Sequence, residues 1–202
     1  MNLRVFFSAF LSGLFFLSAA ASAETVDLQL VLAVDVSGSM GDDEHALQRD
    51  GYVSALRHPQ VVQAIRGGYA GRIAVTYVEW AGTESQVVAV PWRMIADQPS
   101  ADAFADELAR TPIAWIRGTS ISGALAFAGG LFDASGFESE RRVIDISGDG
   151  PNNMGPPVDT VRDRMVDRGI VINGLPVMIH PQRGGWGIGE DLEPYYRDCV
   201  IG

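Results

Sequence analysis

The sequence predicts an α/β fold, a sheet of strands with helices packed on both of its faces. Three observations predict it. Strand-like and helix-like hydrophobic periods alternate along most of the chain. The stretch LQLVLAV, Leu28 to Val34, is almost continuously apolar, as a central strand buried on both faces has to be. The 202 residues are enough for one domain with a sizeable core and leave little for a second.

The first residues have the pattern of a processing signal. Arg4 is a short positive start, Val5 to Leu17 an apolar core, and Ala21-Ser22-Ala23 a small-residue cleavage site. Residues 1–23 are expected to be removed, leaving a periplasmic or secreted chain that begins near Glu24 and forms one domain over 24–202. The apolar run is shorter than the ~20 residues that span a bilayer, and no later stretch is long and apolar enough to do so.

After the first strand, Asp42 to Arg57 reads as a helix with acids in its first turn, where they suit the helix dipole, and His58-Pro59 ends it. Ile73, Val75 and Tyr77 alternate with Ala74, Thr76 and Val78. A second apolar run, Val87 to Val90, follows AGTE, so the two form a hairpin. Ala101, Phe104, Ala105, Leu108 and Ala109 make a helical stripe after Pro99-Ser100, and Ile121, Ala124, Leu125, Ala128 and Phe132 make another. TPIAWIRGTS is the loop between them. Arg142 to Ser147 is a strand ending in SGDGPNN, followed by a helix from Val158 to Arg168 and a strand that starts at Ile170. Beyond Met178 the chain turns Gly-rich and irregular.

Composition narrows the chemistry. The formal charge is −10, and loss of the leader, which holds Arg4 and no acid, makes the exported part more negative by one. Such a surface repels nucleic acid and favours a cation or a basic partner. All 15 basic residues are arginines, so the lysine of a P-loop is missing. The single cysteine, Cys199, makes no internal disulfide and reads as a small buried hydrophobe. There is no Gly-x-Ser-x-Gly elbow for serine hydrolysis.

In a parallel α/β sheet, ligands gather where strands end and loops leave toward helices. Three such exits carry oxygen donors: Asp35, Ser37 and Ser39 after the first strand, Thr119 and Ser120 before a helix, and Asp149 after a later strand. Residues i, i+2 and i+4 of a locally extended turn point the same way, so one carboxylate and two hydroxyls can converge. Gly38 and Gly41 allow the tight turning this needs. Hard oxygen donors of low total charge suit Mg²⁺, which takes six oxygens and keeps some of its waters. Helix caps and turns are the ordinary use of the same residue types, for Ser120 above all.

DVSGS, the Thr119 of GTSISGAL, and the Asp149 of SGDG, in that order at three strand exits, resemble the von Willebrand factor A family with its metal-ion-dependent adhesion site. The resemblance covers about residues 26 to 179. More narrowly, VDLQLVLAVDVSGSM, RVIDISGDGPNN and YYRDCVIG resemble a bacterial exported family catalogued as domain of unknown function 1194. The resemblance implies a doubly wound three-layer α/β/α sandwich with a mostly parallel sheet and one antiparallel edge strand. It implies a Mg²⁺ or Mn²⁺ site in which Ser37, Ser39 and Thr119 coordinate by hydroxyl while Asp35 and Asp149 act directly or through water. A protein partner presenting Asp or Glu would complete the metal, which makes the chain a binding module and not an enzyme. It also implies a further strand and a C-terminal helix, so a chain ending just after DCVIG reads as truncated.

Two other readings remain open. A metal that only stabilises the fold is one. The other is a phosphatase-like hydrolase of the haloacid dehalogenase kind, echoed by DVSGS with GDGPNN. That chemistry needs a carboxylate where Ser37 stands and usually a lysine. Elsewhere, His45 is expected on a solvated helix face, Asp42, Asp43 and Glu44 as first-turn acids, and Trp80 and Trp92 in the core. Trp115 is the best candidate for a partner contact. Asp145, a charge inside an apolar strand, either braces the metal loop or faces an arginine.

Overall fold

The computed structural model describes residues 23–38, 40–113, 117–177 and 192–202. Its main sheet has five strands in the order β4-β3-β2-β6-β7: β2 is Gln29–Asp35, β3 Ile73–Trp80, β4 Gln86–Ile95, β6 Arg142–Gly148 and β7 Ile170–Pro176. β2 runs parallel to both β3 and β6, and β6 parallel to β7, while β4 closes one edge antiparallel to β3. Two short strands, β1 (Glu24–Thr25) and β5 (Phe137–Glu138), pair separately.

Burial along β2 explains its composition. Val31 and Ala33 face one core, with Ile121, Leu125 and Val161, and Leu32 and Val34 face the other, with Val53, Leu56, Phe104 and Leu108. A strand covered on both faces has no polar side, which is why the sequence shows a run instead of an alternation. Each such aliphatic side chain contributes about 1.5–3 kcal/mol by leaving water. β3 is likewise buried at all eight positions.

The helices α1 (Asp42–Arg57), α2 (Pro59–Arg66) and α3 (Gln98–Arg110) supply the second of these cores. The helices α4 (Ile121–Leu131) and α5 (Val158–Asp167) supply the first. The same side receives the C-terminal helical segment, α6 (Leu192–Tyr195) continuing as a π-turn over Tyr196–Val200. The doubly wound three-layer arrangement is therefore as expected. α1 has the bounds read from the sequence, with the Glu44 carboxylate accepting from the Gly41 N–H at 2.7 Å.

Three details differ. His58-Pro59 ends α1 but also starts α2, because proline is well placed in a first helical turn and the His58 ring accepts from the Gln60 N–H. Pro99 is likewise inside the first turn of α3, whose start is fixed by Asp97 accepting from the Ser100 N–H at 2.9 Å. Ala109, at the edge of the predicted stripe, is exposed.

Candidate metal-binding face

The strand order puts the switch of winding direction between β2 and β6, so their exits lie side by side at the carboxyl end of the sheet. Asp35 is the last residue of β2 and is fully buried. Its Oδ1 accepts from the Ser37 N–H at 2.7 Å, the local side-chain turn that Asp residues favour. The Ser37 hydroxyl and the Asp149 N–H also hydrogen-bond this carboxylate. Burial pushes the Asp35 carboxyl up to about 7; the Ser37 bonds oppose the rise and the nearby Asp149 charge adds to it. Oδ2 is buried and has no hydrogen-bond partner among the described residues.

Asp149, one residue beyond β6, is half-buried. Thr119 is buried in the loop before α4, and that loop is stitched to the loop carrying Asp149. The Thr119 N–H donates to Asn153 Oδ1 at 3.1 Å, and the Thr119 carbonyl accepts from the Asn153 N–H at 2.9 Å. One residue earlier in the third loop, Asn152 Oδ1 accepts from the Ser122 N–H at 3.0 Å. The Ser120 N–H donates to the Ala81 carbonyl just past β3 at 2.7 Å, which ties the second loop to the neighbouring strand exit. Gly118 makes the close approach possible. Its φ is +93°, and a Cβ there would sit 2.4 Å from the Met154 sulfur.

Asp35, Ser37 and Asp149 are thus brought together, and Thr119 is held on the adjoining loop. Ser39 lies outside the described residues. Ser120 has the ordinary role: its hydroxyl caps α4 by accepting from the Gly123 N–H at 3.1 Å and donates to the Met154 carbonyl at 3.0 Å. The sequence reading missed Asn152 and Asn153. Their signal is the pair of asparagines that closes GDGPNN.

Other expectations are settled by position. Trp80 is fully buried and Trp92 partly so, while Trp115 lies outside the described residues. His45 is not solvated but buried, with an unpartnered Nε2, because it occupies the inward face of α1 one turn before Gln48, which reaches Ser147 Oγ at 2.8 Å. Among the described residues Asp145 pairs with no arginine and makes no hydrogen bond to the loop that carries Asp149. It accepts from Asn173 Nδ2 on the adjacent strand at 2.7 Å. Cys199 packs against the core as a small hydrophobe.

The donor set fits a hard divalent cation. It comprises two neighbouring carboxylates with hydroxyls, and one carboxylate oxygen has no hydrogen-bond partner among the described residues. Among the described residues no three His, Cys, Asp or Glu side chains cluster.

The sheet order and the helix layers on its two faces define a doubly wound α/β/α fold with a mostly parallel sheet and one antiparallel edge. The fold is similar to that of proximal thread matrix protein 1 from the mussel byssus, solved with a zinc-occupied MIDAS motif. The match has a TM-score of 0.59 and 14% identity, over 75% of this chain and 38% of that one. It is also similar to the pilus adhesin SpaC from Lactobacillus rhamnosus GG, at TM-score 0.54 and 15% identity over 81% and 25% of the two chains. The chain therefore spans well under half the length of these structures. Residues 25–202 match the family described as "Protein of unknown function (DUF1194)", and the chain belongs to that family. No curated protein matches it at a significant level.

Proposed function

We propose that the chain is an exported binding module that holds Mg²⁺ or Mn²⁺ through Asp35, Ser37, Ser39, Thr119 and Asp149 and captures an acidic group of a protein partner. The observation that carries this reading is the pair Asp35 and Asp149: two carboxylates at adjoining strand exits, the first fully buried. Like charges so placed need a proton or a cation, and only a cation lets both stay ionised at neutral pH. Ser37 and Thr119 add neutral hydroxyls. Ser39 joins the set from the spacing of DVSGS. A divalent ion bound there would supply an electrophilic vertex for a partner's carboxylate. The chain's own contribution is to fix the donors, through the Ser37 bonds to Asp35 and the Asn153 clamp on Thr119.

The fold it shares with a zinc-loaded matrix protein and a pilus adhesin supports a binding role over an enzymatic one. Among the described residues no helix is long and apolar enough to cross a membrane; the leader-like pattern of residues 1–23 in the sequence supports a periplasmic or secreted location. The test is a pull-down from periplasmic extract with and without chelator, using Asp35→Ala as control. A prey that is lost in both chelator and mutant lanes is expected, and the same prey in all lanes contradicts the reading. A large chelator-induced drop in melting temperature without such a prey instead supports a metal that only stabilises the fold.

A further inference from the structure

Within the C-terminal helical segment, the adjacent Tyr195 and Tyr196 reach two of the three loops of the candidate metal-binding face. Tyr195 Oη accepts from the Asn152 N–H at 3.0 Å, next to the clamp on Thr119. Tyr196 is buried to 1% exposure, yet its hydroxyl has no hydrogen-bond partner. Besides the Trp80 indole N–H, the unpartnered buried atom in this region among the described residues is Asp35 Oδ2, an acceptor. Both atoms converge over one Cα: a Cβ added to Gly148 would lie 2.8 Å from Asp35 Oδ2 and 2.9 Å from Tyr196 Oη. A second glycine, Gly174 on the neighbouring strand, makes room for the ring itself, since a Cβ there would lie 2.7 Å from Tyr196 Cδ1. Two glycines on adjacent strands therefore leave room for this side chain and bring its hydroxyl to the same gap as the Asp35 carboxylate, with no hydrogen bond between them in the structure.

The chemistry of the two groups is complementary. An ionised carboxylate only accepts hydrogen bonds, and a phenol carries one donor. Burial, and then the charges of Asp35 and Asp149, hold the Tyr196 phenol well above its ordinary pKa, so the hydroxyl keeps its proton. Leaving a donor and an acceptor both buried and unmet costs about 1–3 kcal/mol for each. The helix also changes to a π-turn at Tyr196, the kind of local insertion that re-aims a side chain.

We propose that Tyr196 is a positioning residue of the metal site: across the gap left by Gly148, its hydroxyl supplies the hydrogen-bond donor for Asp35 Oδ2. The inference rests on the metal-binding reading above. A carboxylate oxygen has two lone-pair sites, so accepting from Tyr196 leaves one for the cation or its water. The hydroxyl fixes the rotation of the carboxylate about χ2 and thereby the direction of its free lone pairs. Through the same segment, Tyr195 holds the third loop, so the end of the chain sets the spacing of the first and third donor loops.

Tyr196→Phe removes the hydroxyl and keeps the ring in its slot. Calorimetric titration with Mn²⁺ is expected to show a dissociation constant raised about ten-fold over wild type, as is usual when a partner of a metal ligand is lost. In chelator, where no metal contributes, melting temperatures of Tyr196→Phe, Asp35→Asn and the double variant are expected to depart from additivity by more than about 2 °C. Mn²⁺ affinity within two-fold of wild type, or additive melts, overturns the assignment. Wild-type protein that takes up no Mn²⁺ defeats the metal-site reading itself and is recognised separately.

Discussion

The buried pair Arg49–Glu79 gives a prediction whose size follows from its surroundings. Arg49 on α1 and Glu79 on β3 are 7% and 2% exposed and form an ion pair. The guanidinium also donates to the carbonyls of Leu108 and Thr111 at the end of α3 and lies over the Tyr77 ring at 5.6 Å. Removing one member of a buried pair leaves the other charge uncompensated, which costs about 3–5 kcal/mol. For Glu79→Leu the two carbonyl contacts remain and the loss should be about 3 kcal/mol. For Arg49→Met those contacts go as well and it should be about 4 kcal/mol. Replacing both partners removes the uncompensated charge, so the double variant should lose only about 2 kcal/mol, a coupling of roughly 5 kcal/mol. For a domain of this size 1 kcal/mol shifts the melting temperature by about 2–4 °C. Glu79→Leu should therefore melt about 6–12 °C below wild type, with the double variant above either single one. Thermal unfolding followed by circular dichroism reads all four proteins. Additive losses, or a Glu79→Leu variant that melts with wild type, would refute the reasoning.

Three further outcomes are expected. The Asp35 carboxyl, raised from 3.8 to about 7 in the folded chain, contributes stability that is fully present below 3.8 and is lost as pH rises through about 7. In chelator, denaturant unfolding should lose roughly 4 kcal/mol over that window relative to Asp35→Asn, and excess Mg²⁺ should flatten the difference. A pH-independent gap between the two proteins contradicts this. Ser120→Ala should cost about 1 kcal/mol through loss of the α4 cap while leaving the Mn²⁺ dissociation constant unchanged; a weakened constant would make Ser120 a ligand and not a cap. Asn153→Ala should weaken Mn²⁺ binding several-fold, because the buried Thr119 N–H loses its acceptor, and calorimetry showing wild-type affinity would remove the clamp from the account.

How much of this was legible in the sequence depends on the range of the interaction. The run Leu28 to Val34 gave away a strand covered on both faces because burial acts on every residue of it, and the acids before Ala46 marked the start of α1 because they act within one turn. Asp35 and Asp149 lie at the exits of the adjacent strands β2 and β6, where motif order puts them, whereas Thr119 lies on the loop between α3 and α4 and is tied to the third loop by Asn153. α2 was hidden, since His58-Pro59 signals an end as strongly as a beginning. The burial of His45, the Asn153 clamp and the approach of Tyr196 to Asp35 depend on contacts between residues far apart in the chain. None leaves a periodic trace, and the glycines that permit them, Gly118 and Gly148, look like any others until a neighbour occupies the space where a Cβ would be.

The central claim is that Asp35, Thr119 and Asp149 share one divalent ion. The most direct measurement is isothermal titration of Mg²⁺ and Mn²⁺ into the chelator-stripped chain of residues 24–202 and into its Asp35→Ala, Thr119→Ala and Asp149→Ala variants. One site per chain in the wild type, weakened at least ten-fold by each substitution, is the predicted result. No heat of binding in the wild type, or a site that survives all three substitutions, contradicts the claim.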